Sequence, residues 1–297
     1  MPRVFVIPNR VLSNKAGYQY IADLYHQMLK DNTDKYILDF QNCQNFDANL
    51  AAVLGVIIDH YRSHREFYAD NLSSGVRRAL ARNGFLHVLQ PNETNLEEKE
   101  NYVKYTCFQR GAADQFKGFI DEWIMKKQRF PKHTQLAGEK ISETLYELYV
   151  NAITHGESES VYVCGEYLSR AGNRLCFTIV DKGRTIPKNV NDFFLKEGRP
   201  VVDSCDAIQW AFKSGNTTKN SPGGLGLALL QDFIQQNDGA MQMVSADGFL
   251  EFRNGEISTS ILQSSFPGTI VNLEFNFDDT KNYYMTSEIK KDSFSLL

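Results

Sequence analysis

The sequence predicts an α/β protein made of two successive sheet-and-helix units. Three observations lead there. Strand-length apolar runs alternate with helix-patterned runs through the first hundred residues, the order expected of helices layered on a sheet. The stretch from Gln90 to Tyr102, QPNETNLEEKENY, is polar and without periodicity, as a linker or edge loop is. Beyond it, two helical patterns precede strands punctuated by glycine-rich loops. At 297 residues the chain has the length for two cores. The boundary is expected near residue 100, with units at 1–100 and 101–297.

Composition narrows the function. Hydrophobic residues make up 42% and charged residues 23%, ordinary for a soluble globular protein. A net charge of −4 offers no general basic field, so nucleic acid is not an expected partner. No apolar run reaches the roughly eighteen residues that a membrane helix needs. The N-terminal MPRVFVIPNRVLSNKAG lacks the apolar core of a signal peptide and reads as a strand of the fold. Cys43, Cys107, Cys164, Cys176 and Cys205 are scattered and form no C-x-x-C pair. That argues against a disulfide framework or a zinc site and fits a reducing cytoplasm.

In the first unit, Val4–Pro8 is a short strand and Tyr18–Leu29 a helix, through Tyr20, Ile21, Leu24, Tyr25 and Leu29. Lys35–Phe40 is dense in β-formers. A turn at Phe46–Asn49 leads into an apolar helix, Leu50–Tyr61, and Arg65–Tyr68 is another short strand. Ser73 or Ser74 caps a helix over Val76–Asn83 that Gly84 ends. The strand YILDF, the loop FDANLAAVLG and the later SSGVRRALARNGFL together resemble the STAS fold of anti-sigma factor antagonists, over about residues 1–95. That family's loop carries a phosphorylated serine or threonine. Here Asp47, Ala48 and Asn49 stand in its place, so the resemblance implies an interaction or dimerisation module without the phosphorylation switch.

In the second unit, Ala112–Arg129 presents Phe116, Phe119, Ile120, Trp123 and Ile124 on one face, and Pro131 stops it. Thr134 opens the helix that contains ETLYELYVNAITHG. Glu143, Glu147 and Asn151 recur every four residues on one face of it. Strands follow from Val161 and over Arg174–Val180, the second ending in Asp181-Lys182-Gly183-Arg184-Thr185-Ile186-Pro187. A carboxylate at such a strand end suits the exocyclic amine of adenine. After a short helix, Asp206–Ser214, the loop GNTTKNSPGGLG delivers glycines to the start of the helix Leu227–Gln236. Bare backbone N–H groups and the helix dipole favour phosphate there. Ala240–Ser245, a hairpin around Asp247-Gly248 and a strand from Gly268 complete the sheet.

The order of these parts resembles the GHKL ATPase superfamily of gyrase, Hsp90, histidine kinases and MutL-like proteins, over about residues 112–278. ELYVNAITHG is most similar to the anti-sigma factor serine kinases, and the glycine loop to histidine kinases. The resemblance implies a Bergerat α/β sandwich, a mixed sheet covered by helices on one face, binding ATP and Mg²⁺. It implies Asn151 as the magnesium ligand and Glu147 as the base or orienter of the attacking water or hydroxyl. Asp181, with Gly183 and Thr269, would hold adenine. Gly224, Leu225 and Gly226 would cradle phosphate, and Lys219, on a lid at 213–223, is a γ-phosphate contact or a solvated charge. Glu143 reads as a solvated helix residue and His155 as a cap of helix carbonyls. Thr185 replaces the second glycine of D-x-G-x-G, which restricts the backbone at the lid hinge.

The expected function is an ATP-binding regulatory protein that hydrolyses ATP or transfers its γ-phosphate to a serine or threonine of a partner. That partner, another regulatory protein, would engage the N-terminal unit, with a homodimer as a further option. The alternatives are a non-catalytic ATP-dependent switch or scaffold and, last, a histidine kinase, for which His64-Arg65-Glu66 is a faint acceptor motif.

Overall fold

The computed structural model describes residues 1–91, 102–168, 172–213, 215–218 and 225–292. The first unit runs β1 (Arg3–Val6), β2 (Arg10–Val11), α1 (Lys15–Leu29), β3 (Lys35–Asp39), β4 (Asn45–Phe46), α2 (Ala51–Arg62), β5 (Glu66–Asp70), α3 (Ser74–Arg82) and α4 (Phe85–Leu89). Its main sheet is parallel, in the order β1-β3-β5. Ser73 supplies the cap of α3 by accepting from Val76 N, and Gly84 follows in the left-handed region at φ 81°. The expected linker falls mainly on 92–101, outside the described residues.

The second unit runs β6 (Tyr102–Gln109), α5 (Ala113–Ile120), β7 (Lys132–His133), α6 (Gln135–Thr154), β8 (Ser160–Leu168), β9 (Arg174–Asp181), α7 (Ile186–Lys196), α8 (Ser204–Phe212), α9 (Leu225–Gln236), β10 (Ala240–Arg253), β11 (Glu256–Asn276), β12 (Asn282–Tyr283) and α10 (Thr286–Asp292). Its sheet, in the order β10-β11-β9-β8-β6, is antiparallel at every pairing rather than mixed. The helix expected over Ala112–Arg129 is shorter: α5 ends at Ile120 and closes in a wide π turn over Asp121–Met125. The hairpin turn lies at Asn254-Gly255, both with positive φ, and not at Asp247-Gly248, where β10 runs on through a register shift. A side chain at Gly248 would meet the Ser204 carbonyl oxygen at 2.8 Å, so this glycine serves the packing of α8.

Sheet pleating sorts the strands between two cores. Leu175, Phe177 and Ile179 of β9 join Leu145, Leu148 and Leu230 under the helices. Val180, with Tyr162, Val244 and Ile270, faces the other way and packs with α1 and α2 of the first unit. Both faces of the sheet are therefore covered, not one. Across the back face, Thr178, Asn272 and Gln242 sit in register on β9, β11 and β10. Asn49 donates to Thr178 Oγ1 (2.9 Å) and Asn272 Oδ1 (3.1 Å), and Tyr18 donates to Gln242 Oε1 (3.0 Å). Ala48 N donates to Glu166 Oε2 at 2.6 Å. The Asp47–Asn49 loop is thus buried against the sheet. At the last turn of α2, Asp59 accepts from Tyr162 (2.5 Å) and His60 Nδ1 lies 2.5 Å from Lys182 Nζ.

Candidate nucleotide-binding site

The helix side of the sheet carries a cavity of about 160 Å³ between α6, α7, α8 and the ends of β9 and β11. α6 supplies one wall. Thr134 caps it by accepting from Ala137 N, and Leu145, Leu148, Tyr149 and Ala152 anchor it in the core. Asn151, half-buried, lines the cavity one turn before the helix ends. His155 and Gly156 both donate their backbone N–H to Asn151 O, at 2.9 and 3.0 Å. Glu147 lies one turn earlier, exposed, and is not part of the cavity lining. Glu143 is also exposed, 2.6 Å from Lys140 Nζ, as a solvated helix residue would be.

Asp181 occupies the floor. It pairs with Thr269 across β9 and β11, and both project to the helix side. The carboxyl is buried, and among the described residues its Oδ1 has no hydrogen-bond partner. Burial pushes its pKa up to about 8, opposed by a hydrogen bond from the Thr269 backbone. Close backbone hems this group in. A side chain at Gly183 would stand 2.0 Å from Gly156 O, and one at Gly268 would stand 2.0 Å from Asp181 O. The Thr269 hydroxyl is 2.9 Å from Ser245 Oγ, which also accepts from Ile186 N.

Residues 137–278 match a family model described as "Histidine kinase-, DNA gyrase B-, and HSP90-like ATPase". This stretch is a GHKL-type ATPase domain. The chain is also similar to the protein named sensor histidine kinase ZraS, from Salmonella typhimurium and from Salmonella typhi. Each is 29% identical over 117 residues, 39% of this chain. The match spans about a fifth (21%) of the length of those relatives.

Within the ATPase domain the structure brings Asn151, Asp181 and Thr269 to one cavity, with Gly183 beside it. Lys219 and Gly224 lie outside the described residues, as does most of the expected lid. Leu225 and Gly226 form the first positions of α9. Among the described residues no three His, Cys, Asp or Glu converge as a metal cluster. The Asn151 side-chain oxygen is a hard donor of the kind that could hold a magnesium ion beside phosphate oxygens. An orphaned buried acceptor walled by glycine backbone fits a flat heterocycle bearing an amine.

Several cavity residues lay beyond the sequence reading. Arg184 lines the cavity, and its guanidinium pairs with Asp192 of α7. Asn189 donates to His155 O at 2.8 Å, and Thr218 Oγ1 lies 3.3 Å from His155 Nδ1. α7 itself was readable in hindsight. Thr185 caps it by accepting from Lys188 N at 3.4 Å, and Pro187 follows within its first turn. Thr185 sits at φ −73°, so no glycine conformation is required there, and the departure from D-x-G-x-G has a local cause.

Proposed function

We propose that the ATPase domain binds Mg²⁺-ATP with adenine on Asp181 and uses Glu147 to activate the nucleophile. The observation that carries this reading is the buried, partnerless Oδ1 of Asp181 at the floor of the cavity. Such an atom costs free energy until a donor reaches it, and adenine's amine is that donor. Asn151, further along the cavity, would hold the metal and Leu225–Gly226 would offer backbone N–H groups to phosphate. Glu147, in solvent beside the Asn151 turn, can be reached by water or by a hydroxyl of another protein. The activity is ATP hydrolysis or γ-phosphoryl transfer to a serine or threonine of a partner regulatory protein.

Labelled-ATP turnover by the pure protein, alone and with lysate, tests this. Free phosphate selects hydrolysis, and acid-stable label on a second protein selects the kinase. Glu147→Ala is expected to bind ATP normally and to lose turnover at least ~100-fold, the scale for removing a positioned base. Unchanged turnover would refute the role given to Glu147. The similarity to a sensor histidine kinase favours histidine transfer as a second reading. His64 is exposed in the turn after α2, and acid-labile label lost in His64→Ala would select that reading.

A further inference from the structure

The outer half of the β10–β11 ribbon has one open edge. β11 pairs with β9 only over Thr269–Asn276, whereas its pairing with β10 extends back to Glu256. Among the described residues no strand pairs with the other side of residues 256–268. α1 covers one end of that edge, where Gln263 N donates to Gln19 Oε1 (2.6 Å) and His26 Nε2 lies 2.8 Å from Ser265 O. Nearer the turn that cover stops. The turn Asn254-Gly255 closes on the pair Arg253–Glu256. In a two-residue hairpin the closing pair exchanges its backbone hydrogen bonds, and bonding then alternates along the ladder. Glu256, Ser258 and Ser260 thus bond to β10, while Ile257, Thr259 and Ile261 turn their N–H and C=O outward.

This open segment has little of the protection that edges normally carry. Its one charge is Glu256, and no proline occurs before Pro267. Ile257 and Ile261 are 38% and 47% exposed. The segment Ile257-Ser258-Thr259-Ser260-Ile261 also reads the same in both directions. Antiparallel pairing of two copies about a two-fold axis at Thr259 sets Ile257 opposite Ile261 of the second copy, and serine opposite serine. Glu256 falls opposite Leu262 of the second copy, so like charges do not meet. A foreign peptide would gain nothing from this palindrome, and a closed two-fold pair does.

We propose that Ile257–Ile261 is a strand-addition surface whose occupant is a second copy of this chain. The paired edges make one sheet continuous through both protomers. Light scattering on the full chain tests this by mass, which is 33.9 kDa per chain. Wild type is expected at twice that mass. Thr259→Lys and Thr259→Glu, each placing like charges at the axis, are expected at the single-chain mass. An equimolar mixture of the two should return to the doubled mass, which variants that merely misfold would not do. Thr259 also neighbours the Cys205 thiol of α8, so melting curves accompany the masses. Single-chain mass for wild type at its solubility limit, as an edge built for a foreign peptide would give, overturns the proposal. So does failure of the folded variants to re-pair.

Discussion

The two faces of the ATPase sheet bury polar groups to opposite ends. On the back, Asn49, Thr178, Asn272 and Gln242 form a connected network in which donors and acceptors meet. On the front, a few residues along the same strand, Asp181 keeps an oxygen with no partner. A satisfied buried network fixes how layers dock, whereas an orphaned buried acceptor carries a cost that a ligand's donor can remove. The contrast sets a satisfied polar row on one face against an unsatisfied carboxyl at the cavity on the other.

The largest expected effect falls on the front face. Asp181→Ala should weaken nucleotide binding ~10- to 100-fold, the range for losing a hydrogen bond to a charged group, as calorimetry would show. The pH dependence has a definite sign. Folding raises the Asp181 pKa from 3.8 to about 8. The folded state therefore holds a proton between those values that the unfolded chain lacks, and the resulting stability is full below pH 3.8 and lost as pH rises through about 8. Asp181→Asn should flatten this fall in the ligand-free melting profile. Adenosine, which carries no phosphate to titrate, should bind wild type more tightly as pH rises through that range, and the Asn variant should show no such trend.

The back face should respond in stability and not in affinity. Asn49→Ala is expected to cost about 1–3 kcal/mol in denaturant unfolding, the usual penalty for a broken buried hydrogen-bond set. Nucleotide affinity per folded molecule should stay within twofold of wild type, about 0.4 kcal/mol. A larger loss of affinity would show that the two faces are coupled through β9. The smallest effect is expected at Glu143. Its exposed pair with Lys140 is screened by solvent, so Glu143→Gln should leave melting and turnover unchanged.

Legibility in the sequence followed the range of the interactions. Thr134 as cap, the α6 ladder and Asp181 at a strand end are set by neighbours within a few residues, and all were readable. The back-face row was not, because Thr178 and Asn272 meet Asn49 from 129 and 223 positions away. A strand buried on both faces also loses the alternation that would reveal which side each residue takes, as β9 does. The hairpin was misplaced because Asp247-Gly248 and Asn254-Gly255 carry the same turn signal. Only the approach of α8 to Gly248 tells them apart.

The first unit and the ATPase sheet share one hydrophobic cluster, in which Leu54 and Ile58 join Tyr162 and Ile270. Such a body has no seam along which to melt in stages. Differential scanning calorimetry should record a single endotherm whose van't Hoff and calorimetric enthalpies agree. Saturating nucleotide should move that endotherm upward as a whole, carrying residues of the first unit that never touch the ligand.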